Sequence, residues 1–301
     1  MNDENEPKKK MLLPLFIMGC FFVIIDAFAL LIKNLFQPTF EDTSNPVNIL
    51  YIFVIIIVMT IVILIIAKYW KKQVIQILIL FAIGYTAFFI FVPLFSLLFT
   101  DLLSIVLGIA GAVILVVALY SYPEWYVIDL CGVIVGAGAI AIFGVSLSIF
   151  LVIILLLVLA VYDAISVYKT KHMIDLADAV MDLKLPVLLV VPKIRKYSLI
   201  KETKSLKEKL KEDEERDAFF MGLGDIVMPG ILVVATYHTI PDGLPVALSV
   251  LAGTLIGFLL LMSFVIKGKP QAGLPLLCSG AILGYVISSY VFYGTLAGLG
   301  L

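Results

Sequence analysis

The stretch FFMGLGDIVMPG, residues 219–230, sets one carboxylate, Asp225, among side chains suited to lipid. Two glycines precede the acid, and a proline and a glycine follow it. The sequence around it explains the apolar setting. Of the 301 residues, 62% are hydrophobic, against roughly 45–50% in an ordinary soluble domain. The excess falls in long runs, and about 20 apolar residues at ~1.5 Å each cross a bilayer core. The chain therefore reads as an all-α polytopic membrane protein. Its net charge of -1 says little, because the charges are concentrated in the connections.

Nine transmembrane helices are expected, at about 11–32, 48–67, 74–99, 102–120, 125–144, 148–168, 218–237, 244–266 and 273–297. The breaks are polar or proline-bearing, as in FQPTFEDTSNP, AKYWKKQ, SYPEW, HTIPDG and KGKPQ. The breaks near Asp101 and at Ser146–Ser148 are the shortest. The segment from Met11 is too long for a secretory signal and lacks a small-residue cleavage site, so it is expected to be a retained first span. With a cytoplasmic N-terminus, only Lys33 among the 21 Lys and Arg residues flanks an outer loop. That positive-inside bias places the N-terminus in the cytoplasm and the C-terminus outside.

Three parts follow: six helices over 1–168, a cytoplasmic connection over 169–217, and three helices over 218–301. The first half of the connection, MIDLADAVMDLKLPVLLVVPK, is amphipathic and apolar enough to lie on or dip into the membrane. Asp175, Asp178 and Asp182 share one helix face there, which suits a solvated face better than a metal site. The second half, KETKSLKEKLKEDEERD, is a mixed-charge run that forms a solvated helix or stays disordered. Its basic residues suit anionic headgroups. There is no phosphate loop or nucleic-acid motif, so nucleic acid is not an expected partner. Cys20, Cys131 and Cys278 lie in apolar runs and read as small hydrophobes. His172 and His238 lack HExxH or GxSxG company, which disfavours metal and serine mechanisms. No metal or cofactor is expected.

Four acids fall within spans: Asp26, Asp129, Asp163 and Asp225. Each costs about 2.5–3.5 kcal/mol at a helix centre, so each faces protein or water and is a functional candidate. Polar contact between helices is the ordinary reading of Asp26 and Asp129. Asp163 precedes Lys169 by about 9 Å of helix, and Asp225 follows Asp217 by about 12 Å. Antiparallel neighbours thus set two carboxylates at matching depth. Asp129 also lies near the cytoplasmic side. Two close carboxylates share a proton and titrate as a unit. One activates water and the other donates to a substrate carbonyl, which is aspartic peptide hydrolysis. Gly222 and Gly224 permit close backbone approach beside Asp225, and Pro229 with Gly230 loosens the helix beyond it. A transmembrane substrate must be unwound before water attacks, and strand addition against the enzyme is a device for that.

Tyr162-Asp163, then Gly222-Leu223-Gly224-Asp225, then a proline motif opening the last span resemble the intramembrane aspartyl proteases, the presenilins and signal peptide peptidases. The resemblance covers about 148–297, and the nine-span layout extends it to the whole chain. It implies that Asp163 and Asp225 are the catalytic pair, with Tyr162, Gly222, Leu223 and Gly224 as motif residues. The family's Pro-Ala-Leu motif is matched here by Pro275, Leu276 and Leu277, with a departure in the middle. GLGDIVMPG is closer in wording to the signal peptide peptidases, but the lysine bias matches the presenilin orientation and weighs more, so the chain resembles a microbial presenilin homologue. The implied function is intramembrane endopeptidase in the cell membrane, acting on transmembrane helical peptides in the lipid bilayer. A compact chain without long tails is expected to work without partner subunits, and a homo-oligomer is compatible with that.

Two other readings compete. A proton- or cation-coupled transporter or channel also uses intramembrane acids, but paired broken halves are not evident. A prepilin-type peptidase shares GxGD but follows its acid with a lysine, where Ile226 and Val227 stand here.

Overall fold

The computed structural model describes residues 5–69, 72–170, 188–193, 198, 218–265 and 271–299. Nine long helices lie among them: α1 (Asn5–Ile32), α2 (Val47–Tyr69), α3 (Lys72–Ser96), α4 (Asp101–Ser121), α5 (Trp125–Ser146), α6 (Ile149–Ile165), α7 (Leu223–Thr239), α8 (Leu244–Val265) and α9 (Gly273–Tyr293). The expected breaks at Asp101 and at 146–148 are both present. Seven helices are long and apolar enough to cross a membrane, and α7 is a shorter apolar helix. Apolar side chains cover much of the outside, as on α4, where Leu102, Val106, Val113 and Ile114 are exposed. The tightly packed centre is formed by α1, α5, α6, α7, α8 and α9.

Lys33, the one lysine flanking an outer connection, is buried, and its Nζ lies 4.3 Å from the Tyr237 ring centroid. A cation over an aromatic face retains attraction without an acidic partner.

Two strands correct the expected layout. β1 (Leu188–Pro192) pairs antiparallel with β2 (Ala218–Gly222), Leu188 opposite Gly222 and Pro192 opposite Ala218. The 188–192 segment was expected to lie along the membrane, and 218–222 was expected to begin the seventh span. Val190 and Val191 are β-branched and Phe219 and Phe220 aromatic, residue types that favour a pleated, half-buried surface. The Asp175, Asp178 and Asp182 face, His172 and the charged run 201–217 lie outside the described residues.

The strand explains why α7 is short. Its 17 residues extend about 25 Å, less than a bilayer core of about 30 Å. Gly222 is extended, at φ -61° and ψ 131°, and hands the chain from β2 into the helix.

α8 and α9 cross at backbone contact. A Cβ on Gly253 would stand 2.2 Å from the Gly280 carbonyl oxygen, one on Gly257 2.4 Å from that of Leu276, and one on Gly284 2.4 Å from that of Ser249. Small residues four apart let two membrane helices approach this closely. The contact anchors the first turn of α9 through Leu276. Gly257→Val overpacks this crossing and is expected to cost about 1–3 kcal/mol. A lowered thermal midpoint in lipid or detergent reads that loss.

Candidate active site

Asp163 lies near the C-terminal end of α6, which continues as a π-helical turn, Ser166–Thr170. A helix end offers carbonyls, a poor setting for an anion. The start of α9 supplies what α6 does not. The Leu274 N–H donates to Asp163 Oδ2 at 3.1 Å, and the Gly273 backbone also hydrogen-bonds this carboxyl. The first N–H groups of a helix have no internal acceptor, so they are free for this use. Pro275 sits in the same turn, where its missing N–H costs no helical bond.

Asp225 occupies the first turn of α7. Its setting differs from the expected one, because the chain reaches it as a strand rather than along a helix from Asp217. The acid therefore stands at a helix N-terminus, where partial positive charge favours it. A Cβ on Gly273 would lie 3.3 Å from Asp225 Oδ2, and one on Gly222 would lie equally close at 3.3 Å. The turn that binds Asp163 thus also borders Asp225.

The other motif residues take distinct places. Gly224 is exposed, and nothing lies within 4 Å of where its Cβ would be. Open space, not a neighbouring helix, adjoins it. The Leu223 side chain packs toward Gly132 and Gly136 on α5. Leu277 is buried, while the Leu276 carbonyl meets Gly257. Tyr162 is 69% exposed and directed away from the packed centre.

The remaining acids separate from the pair. Asp129, on α5, accepts from the Val190 N–H at 2.8 Å and so holds β1. Asp26, on α1, is buried beside Gly230 of α7. One link was not legible in the motifs: the Tyr168 hydroxyl donates to Gln271 Oε1 at 2.5 Å. It ties the turn after Asp163 to the segment entering α9. Gly273 and Leu274 also escaped the motif reading, because backbone groups supply their contacts. Their signal was position alone, immediately ahead of Pro275.

Residues 14–294 match the family described as signal-peptide peptidase, presenilin aspartyl protease. The chain belongs to this family. Two solved structures of a presenilin family intramembrane aspartate protease resemble it throughout. The one in space group C222 is 32% identical, with a TM-score of 0.69, covering 93% of this chain and 99% of that one. The one in space group P2 is 34% identical, with a TM-score of 0.69, covering 93% and 98%. No curated protein matches. As a family member the chain is an intramembrane aspartic endopeptidase, acting on transmembrane substrates within the lipid bilayer.

Within this protease Asp129 serves the sheet. Asp129→Ala is expected to remove a hydrogen bond worth about 1.5–3 kcal/mol, whereas Asp129→Asn keeps an acceptor. Hydrogen exchange over residues 188–193 should quicken in the alanine variant and stay near the parent in the asparagine variant.

Proposed function

We propose that Asp163 and Asp225 are the catalytic pair of this protease. The observation that carries the reading is the Gly273-Leu274 turn, which binds Asp163 and borders Asp225. Asp163 holds backbone donors and is the member suited to carry the negative charge. Asp225 carries the shared proton. Asp163 takes a proton from water, the water oxygen attacks the scissile carbonyl carbon, and Asp225 protonates the carbonyl oxygen. Collapse of the tetrahedral diol breaks the C–N bond as the leaving nitrogen takes the proton held by Asp163, and a diol hydroxyl returns its proton to Asp225, restoring the starting pair. Gly224 leaves room for an extended backbone beside the pair, and Pro275, Leu276 and Leu277 build the opposite wall.

The substrate segment adds as a strand to β2. Antiparallel pairs alternate between bonded and non-bonded positions. The Val190 N–H serves Asp129, so Val190 opposite Phe220 is a non-bonded pair. The backbone groups of Ala218, Phe220 and Gly222 then face away from β1. They are available to an extended peptide. The lysine bias supports a cytoplasmic N-terminus, which puts the pair near the cytoplasmic face of a cell membrane.

Cleavage of a single-span peptide by the purified protein in lipid tests the pair. Asp163→Asn and Asp225→Asn should each lower kcat by about 10²–10⁴-fold or more, with thermal midpoints kept and an aspartic-protease transition-state analogue blocking the parent. Cleavage by Asp225→Asn at the parent rate would remove the acid from the mechanism. Phe220→Pro deletes one outward N–H without touching a β1–β2 bond, a change an edge strand tolerates. It should raise KM for the same peptide by about tenfold, the worth of one hydrogen bond. An unchanged KM would count against strand addition at β2.

A further inference from the structure

Tyr168 and Gln271 take no part in the chemistry above, yet they meet beside it. The Tyr168 hydroxyl donates to Gln271 Oε1 at 2.5 Å. Tyr168 is 58% exposed and stands at the last position of the apolar span Ile149–Tyr168. A tyrosine at a membrane boundary ordinarily turns its hydroxyl to water or headgroups. This one is turned onto the segment that enters α9.

Two ties cross the same gap in antiparallel order. Asp163 reaches Leu274, and Tyr168, five residues further along, reaches Gln271, three residues before Leu274. On an α-helix each residue turns about 100°, so residues five apart stand about 140° apart. The π-helical turn Ser166–Thr170 closes by wider i→i+5 bonds, which reduces that angle. The turn after Asp163 thus brings the tyrosine toward the side on which the acid meets α9. Across the gap, Ala272 alone separates Gln271 from Gly273, and it is buried and extended at φ -69° and ψ 127°. A shift of Gln271 is therefore passed to the donors of Asp163. Backbone contact at Gly257 sets α9 against α8. The Tyr168–Gln271 bond sets its entry against α6, the helix that carries the acid.

We propose that Tyr168 and Gln271 are positioning residues for Asp163, their hydrogen bond holding the Gly273 and Leu274 backbone donors at its carboxyl. The inference rests on the reading of Asp163 as catalytic. Both side chains act through the Gly273-Leu274 turn, so their loss falls on kcat rather than on KM.

The test uses the full chain in lipid with a single-span peptide, measuring kcat, KM and thermal midpoint. Tyr168→Phe keeps the ring and removes the donor. Gln271→Leu keeps the bulk and removes the acceptor, and Gln271→Ala replaces it if it does not fold. Each should lower kcat by about three- to tenfold, the worth of one hydrogen bond, with KM within about twofold. The double variant should fall no further than the poorer single one, because one shared bond is lost only once. Hydrogen exchange over residues 272–277 should quicken alike in both single variants. Losses that multiply in the double variant overturn the proposal, as does a parent-like kcat in either single one. A rise in KM that matches the fall in kcat, or unchanged exchange over 272–277, overturns it too. Asp163→Asn runs alongside. Its silence upholds the catalytic pair whichever way the Tyr168 and Gln271 variants go, and its activity sinks that reading separately.

Discussion

Unpaired backbone N–H groups at helix starts are what make two acids tolerable in this bundle. A carboxylate inside a membrane needs donors, and lipid has none. Asp163 receives them from Gly273 and Leu274 at the start of α9. Asp225 receives the field of its own helix, α7, by standing in its first turn. The centre thus lies where two helix starts meet the end of a third. That meeting depends on the height and rotation of α9. Backbone contact with α8 at Gly253, Gly257 and Gly284 sets both, because no side chain there can yield. The Tyr168–Gln271 hydrogen bond holds the same entry from the side of α6.

A second constraint concerns the irregular backbone. Strand and loop at membrane depth are permitted only inside protein or water. β1 meets the condition through burial of Leu189, Val190 and Val191 and through Asp129, which accepts from the Val190 N–H, a donor that β2 does not serve. Pro192 closes the strand opposite Ala218, where its missing N–H interrupts no pairing under the same alternation. An acid of α5 remote in sequence from the strands therefore sustains the sheet that leads to Asp225. Its place in the bundle is accounted for by that hydrogen bond, without a part in the chemistry.

Much of this was legible in the sequence, for reasons that also mark where legibility stopped. Long apolar runs broken by proline and charge determine helices through length alone, so all nine appear near their expected bounds. Tyr162-Asp163 and GLGD were recognisable because the carboxylates are side-chain features at matched depth. The acids alone left a transporter open, and the family match removes the need for it. The strands escaped because LPVLLVVP and AFFMG are short apolar runs, which periodicity cannot distinguish from helix. The donors to Asp163 escaped because every residue but proline carries an N–H, so composition does not mark them. Asp129 was read as a contact between helices. Its partner proved to be a strand far along the chain, a pairing that only the fold specifies.

The position of the pair at the junction of β2 and α7 has a physical logic of its own. A transmembrane substrate arrives as a helix with its amides internally bonded, and each amide freed in low dielectric costs several kcal/mol unless re-bonded. An enzyme built only of helices offers such a segment no backbone partners. A strand with an open edge does, and it re-bonds amides in a conformation that exposes alternate peptide groups. The strand must then stop, because a peptide bonded along its whole length presents no free carbonyl to water. β2 stops at Gly222, and the chain turns into α7 with Asp225 three residues on. Pairing ends where the acids begin. The same glycine that ends the strand keeps a side chain from intruding on Asp225, so under the proposed strand addition the residue that releases the substrate backbone also opens the space in which it reacts.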